Sequence, residues 1–124
     1  MSERNVYDMT REFVRLPEFE KQCKSIGLSE DDVRDIEIEL LANPSAGILI
    51  KGTGGVRKHR IALPNRGKSG GARTIYIDFA NYEKLYFITV FGKSDKDDLS
   101  QAERNELKVL VRLLESELRK KVKK

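Results

Sequence analysis

Acid is missing from the middle of this sequence. Between Leu40 and Ile77 there is no Asp or Glu, while Lys51, Arg57, Lys58, Arg60, Arg66, Lys68 and Arg73 all fall inside that stretch. Long apolar runs are missing as well. None approaches the roughly 20 residues that a bilayer crossing needs, and the start, Met1-Ser-Glu-Arg-Asn, is polar with no apolar leader. These absences set a cytoplasmic expectation with no membrane partner. Cysteine and histidine are nearly absent. Cys23 alone cannot make an internal disulfide, and with one histidine, His59, it cannot build a zinc site.

What is present is charge, unevenly spread. The 124 residues carry 24 Lys and Arg against 20 Asp and Glu, a net of +4. Seven of the cations sit in the acid-free stretch, which leaves 17 basic and 20 acidic residues elsewhere, a balance of −3. Concentrated positive charge is the electrostatic footprint of a polyanion partner. The length fits one domain with one small core. We expect a polar tail over residues 1–11 and a single domain over residues 12–124.

Residues 13–16 read as a short edge strand. Pro17 suits the first position of a helix. Phe19, Cys23 and Ile26 then share one helical face, and Gly27 suits the stop. On that stripe Cys23 reads as a small core hydrophobe. Ser29-Glu-Asp-Asp32 resembles a capping box that opens a second helix, with Val33, Ile36, Leu40 and Leu41 as its buried stripe. Asn43-Pro44 ends it. The two helices should form a hairpin. Ile48-Leu49-Ile50 is a short apolar run. Gly52, Gly54 and Gly55 mark a turn, and strands follow over 56–63, 72–79 and 85–91. Short connections predict an antiparallel meander. Ser100-Gln-Ala-Glu103 is a full capping box, followed by the stripe Leu107, Leu110, Val111, Leu114 and Leu118. The fold class is α+β, a small antiparallel sheet with an N-terminal helical hairpin and a C-terminal helix, the helices on one face.

Strand alternation divides the basic segment. Val56, Lys58, Arg60 and Ala62 share one face; Arg57, His59, Ile61 and Leu63 share the other. Ile61 and Leu63 make the second face the one against the helices, so Lys58 and Arg60 point to the open face. The plain alternative is a solvated strand whose cations blunt its edge. Against it stands the complete absence of acids, because ordinary surfaces mix charge signs. His59 turns away from Lys58 and Arg60, which gives it a structural place beneath the sheet. Residues 62–69, Ala-Leu-Pro-Asn-Arg-Gly-Lys-Ser, loosely match a phosphate-binding loop. That motif needs a helix at its end, and here a strand follows, so the nucleotide reading fails. Asp95, Asp97 and Asp98 lead into the Ser100 cap and read as capping acids rather than a metal site. Tyr76, Tyr82, Tyr86, Phe87 and Phe91 lie on or beside the strands, and any on the open face could stack on a base.

The run from Gly52-Thr-Gly-Gly-Val-Arg-Lys-His-Arg60 through Gly67-Lys-Ser-Gly-Gly-Ala-Arg73-Thr-Ile-Tyr76 to Phe91-Gly-Lys93 and Asp98-Leu99-Ser100 resembles the HigB-type branch of the RelE-like toxins. These belong to bacterial type II toxin–antitoxin pairs. The resemblance covers about residues 12–118. It implies a metal-independent endoribonuclease that cuts mRNA in the ribosomal A site, with no cofactor and a helix-turn-helix antitoxin as partner. In this family the 2′-hydroxyl attacks the adjacent phosphate, and clustered cations stabilise the extra charge of the transition state. Cations crowded together also pull a lysine down from about 10.4 toward a range useful for proton transfer. The resemblance places catalytic residues at Lys58, Arg60, Arg73 and Lys93. Arg73 and Arg60 are expected to stabilise the phosphate, and Lys58 or Lys93 to move the proton. Arg57, Arg66, Lys68 and Lys51 are the expected RNA contacts. Two positions depart from the family: Phe91 stands where Tyr is frequent, and His59 where an aliphatic residue is common. The rival readings are a non-catalytic RNA- or ribosome-binding module and an inactive homologue kept for antitoxin binding.

Overall fold

The structure is a computed structural model, and it describes residues 10–63, 71–93 and 98–122. In chain order the elements are β1 (Glu12–Arg15), α1 (Pro17–Ile26), α2 (Glu30–Ala42), β2 (Ile48–Leu49), β3 (Arg57–Ile61), β4 (Ala72–Phe79), a 3-10 turn (Ala80–Tyr82), β5 (Lys84–Gly92) and α3 (Gln101–Val122). The strands form one five-stranded sheet in the order β1-β5-β4-β3-β2. The α+β class therefore holds.

The helix ends follow from local chemistry. Gly27 takes φ 81°, a left-handed value that suits glycine, and its amide closes onto Cys23 and Lys24. Ser29 Oγ accepts from the Asp32 amide at 3.1 Å while Asp32 accepts from the Ser29 amide at 2.8 Å. At α3 the same exchange joins Ser100 and Glu103, at 3.1 and 2.8 Å. Each such cap is worth about 1 kcal/mol.

Two features differ from the sequence expectation. The meander β2-β3-β4-β5 is antiparallel as expected, but β1 joins its edge in parallel, with Glu12 beside Lys84 and Arg15 beside Phe87. The helices also divide between both faces. Phe19, Cys23, Val33, Ile36 and Leu40 of α1 and α2 pack with Leu63, Tyr76, Leu85 and Phe87. Leu107, Val111 and Leu118 of α3 pack with Val56, Ile75, Ile77 and Ile88 on the other face. The reason is that β4 and β5 are apolar on both sides, so one helical layer leaves a hydrophobic face in water. The face that carries Lys58 and Arg60 is thus the α3 face.

The expected tail over residues 1–11 lies outside the described residues up to residue 9. Arg11 is held within the domain, donating to both carboxylate oxygens of Asp78 at 2.6 and 3.0 Å. Among the described residues no helix is long and apolar enough to cross a membrane.

Candidate active site

β3 and β4 pair so that Arg60 stands directly opposite Arg73 and Lys58 opposite Ile75; β4 and β5 pair so that Arg73 stands opposite Phe91. Directly paired residues share a face. Lys58, Arg60 and Arg73 therefore lie together on the α3 face, at the end of the sheet where β3 stops and β4 begins. Lys93, two residues past Phe91, follows the same alternation. Its amide extends the ladder to Gly71 O at 2.9 Å, and its side chain is exposed. A cleft of about 400 Å³ opens there, lined by Lys58, His59, Arg60 and Arg73 with Ala46 and Ile48.

The cations differ in what they touch. Elsewhere on the sheet, strand cations have acids: Arg15 meets Glu30 and Glu37, and Lys84 meets Glu12. Lys58 Nζ lies 3.3 Å from Asp98 Oδ1. Arg60 and Arg73 have no carboxylate within 4.0 Å among the described residues. Arg73 is only 8% exposed, and its hydrogen bond to Ala72 O is long, at 3.4 Å. A buried cation without a counter-ion is costly and favours an arriving anion.

The wall of the cleft is built from the chain between α2 and β3. Tyr76 is fully buried; its hydroxyl donates to Pro44 O at 2.7 Å and accepts from Gly47 N at 3.0 Å. Gly47 is required there, because a Cβ would stand 2.9 Å from Tyr76 Cε1 and 3.0 Å from Lys58 O. Arg57 points away from Lys58 and donates to Gly47 O at 2.8 Å, tying the same loop. The Gly52–Gly55 turn is closed by its own threonine: Thr53 Oγ1 donates to Ile50 O at 2.7 Å and accepts from Val56 N at 3.1 Å. Lys51, in that turn, is exposed at the opposite end of the β2–β3 hairpin from Arg60. The structure thus gathers Lys58, Arg60, Arg73 and the Lys93 end of β5 on one face and separates Arg57 and Lys51 from them. Arg66 and Lys68 lie outside the described residues, as do Asp95 and Asp97.

His59 faces α2 and is 9% exposed; its Nε2 is 3.1 Å from Glu39 Oε1 but not in hydrogen-bond geometry. That is the structural place expected for it. Tyr76, Tyr86, Phe87 and Phe91 are buried, so none of these four rings presents a face to a base. A larger groove, about 710 Å³, runs between α1 and α3 past Leu16, Ile88, Leu107 and Leu110. It is mainly apolar and holds no cation, so it suits phosphate chemistry less than the smaller cleft does.

Two residues were not expected at the site: Asp98, read from the sequence as a capping acid ahead of Ser100, and Arg104. Asp98 accepts from the Leu99 amide at 2.8 Å and bridges Lys58 to Arg104, whose Nη2 lies 3.3 Å away. The Leu99 amide, then Lys58 and Arg104, hold the Asp98 carboxyl below its ordinary range. Arg104 is one of several cations on α3, and nothing in its spacing marks it. Only the crossing of α3 over the sheet brings it to Lys58. A family model described as the RelE toxin of the RelE / RelB toxin–antitoxin system matches residues 18–124.

Proposed function

The chain belongs to the RelE toxin family, and from that premise we propose that it is an mRNA endonuclease of the HigB-type branch, cutting translated message in the ribosomal A site without a metal. Residues 12–124 act as one domain in the cytoplasm, and a helix-turn-helix antitoxin holds it in check. The observation that carries the reading is the pairing of Arg60 with a buried Arg73 that has no acid partner among the described residues.

The chemistry follows from that arrangement. The 2′-hydroxyl of the message attacks the adjacent phosphorus and loses its proton; the bond to the 5′-oxygen breaks, and that oxygen gains a proton. The product is a 2′,3′-cyclic phosphate and a free 5′-hydroxyl. Arg60 and Arg73 donate to the non-bridging oxygens as charge builds on them. Fixed donors in a water-poor site are the largest single source of such catalysis. Lys58 and Lys93, on the same face, are the groups that move protons. Lys68 and Arg66 extend the contact along the RNA backbone.

The test is expression in bacteria with 5′ ends mapped across translated messages. Cleavage inside reading frames, lost with Arg73→Ala, is the expected outcome. Tight RNA binding with neither cleavage nor growth arrest would sink the enzyme reading and leave a non-catalytic binding module.

A further inference from the structure

Asp98 joins two cations from different layers of the fold. Oδ1 lies 3.3 Å from Lys58 Nζ on β3, and Oδ2 lies 3.3 Å from Arg104 Nη2 on the first turn of α3. Both contacts are longer than the roughly 2.7–2.9 Å of a tight charge-assisted bond. The carboxylate is half exposed, so solvent and solutes reach it. Arg104 is only half used. Nη2 holds Asp98, while Nε is buried and has no hydrogen-bond partner. Those two nitrogens form one edge of the guanidinium fork, the edge that matches two oxygens of a carboxylate or phosphate. Asp98 takes one arm of that edge, and the other is unpaired.

A carboxylate that spans an ammonium and a guanidinium, just ahead of the positive end of a helix, stands where an anionic ligand would. The ligand is indicated by the neighbours. Lys58 also lines the cleft of Arg60 and Arg73. We propose that Arg104 is an RNA-phosphate contact and that Asp98 is its resting counter-ion, which a phosphate of bound RNA displaces. This rests on the reading of the Lys58, Arg60 and Arg73 cleft as an RNA-phosphate site. A phosphodiester has two non-bridging oxygens, so it can fill both Nε and Nη2 of Arg104 or bridge Arg104 to Lys58. The Asp98 carboxylate, half exposed, turns away from Arg104 by rotation about its own side-chain bonds.

The experiment measures binding of a fluorescein-labelled, 2′-O-methyl single-stranded oligoribonucleotide, which cannot be cleaved, by anisotropy over a salt series. The full chain is compared with Arg104→Ala, Arg104→Lys and Asp98→Asn. Asparagine keeps an acceptor for the Leu99 amide and removes the competing charge. Arg104→Ala should weaken binding about tenfold and reduce the slope of log affinity against log salt by about 0.7. Arg104→Lys should keep the slope and recover part of the affinity. Asp98→Asn should bind more tightly than the parent. Melting curves accompany each variant, and the lysine and asparagine variants carry the test if the alanine variant unfolds. Unchanged affinity and slope in Arg104→Ala, weaker binding in Asp98→Asn, or no binding by the parent at low salt would overturn the proposal. Cleavage by Arg73→Ala reads the enzyme proposal separately. Loss of cleavage there with Arg104→Ala and Asp98→Asn binding as the parent does leaves the enzyme and removes this assignment. The converse result does the reverse.

Discussion

Arg73→Met separates what the fold needs from what the reaction needs. The arginine is 8% exposed and faces Arg60 across the β3–β4 ladder. Its described hydrogen bond, 3.4 Å to Ala72 O, is too long to repay much. The effective cost of burying one ion is several kcal/mol, and a like charge directly opposite adds roughly 0.2–1 kcal/mol. Methionine has similar length, no charge, and a buried Phe91 beside it to pack on. Replacing buried charge by apolar volume is commonly neutral to stabilising, and about 1–2 kcal/mol of gain is expected here. For a chain of this size that is a rise in melting temperature of about 4–8 °C. Catalysis should move the other way, falling about 10²–10³-fold with the loss of one transition-state donor. Thermal melts and single-turnover cleavage on programmed ribosomes read the two effects. A variant that melts lower by more than about 1 kcal/mol would show that Arg73 holds the sheet together, and the argument from an unpaired buried cation would fail. A variant that melts higher but cleaves at the parent rate would refute the catalytic part alone.

Tyr76→Phe removes the hydroxyl that joins Pro44 O and Gly47 N. The Gly47 amide is left without its partner in a buried setting, and the expected loss is about 2–3 kcal/mol. With a slope near 2 kcal/mol per molar urea, the midpoint should fall by about 1–1.5 M; a fall under about 0.3 M would mean that water replaces the phenol. Burial pushes the Cys23 thiol up from its ordinary 9.0 to about 11. Native protein at pH 8 should therefore react with a thiol reagent only as fast as it unfolds, and rapid labelling would contradict its place in the core. Because the folded value lies above the unfolded one, this thiol's contribution to stability is complete below pH 9.0 and lost as pH rises toward about 11. Urea midpoints at pH 8 and pH 10.5, compared with Cys23→Ala, check the sign.

Much of the secondary structure was legible because its signals are local. Pro17, Gly27, the Ser29–Asp32 box and the Ser100–Glu103 box act within one turn of chain, and each marks its helix end in the structure. That Lys58 and Arg60 share a face was legible from strand parity, which is also local; Arg73 came only from the family resemblance, because its place opposite Arg60 is set by the pairing of β3 with β4. What escaped is set at long range. The stripe of α3 says that one side is buried but not which sheet face it meets. The unread cue was β4, whose residues from Ala72 to Ile77 are buried without alternation, as in a strand covered on both sides. Phe13-Val14-Arg15 carries no sign of whether it pairs with β4 or β5, in parallel or not. Arg104 escaped for the same reason, since its meeting with Asp98 and Lys58 is made by the tertiary fold.

The parallel seam between β1 and β5 has a consequence for how the molecule comes into being. Glu12 and Lys84 meet across 72 residues of chain, so the first strand has no partner when it is made. Chains emerge from the ribosome N-terminus first, and contacts this distant in sequence form late because their loop must close before they contribute. The β1 edge cannot form before β5 has emerged, and the link from Lys58 through Asp98 to Arg104 cannot form before the start of α3 follows it. The cluster is therefore incomplete on a nascent chain. The order of synthesis therefore leaves the cleft of Lys58, Arg60 and Arg73 without its Asp98–Arg104 side until the start of α3 has emerged.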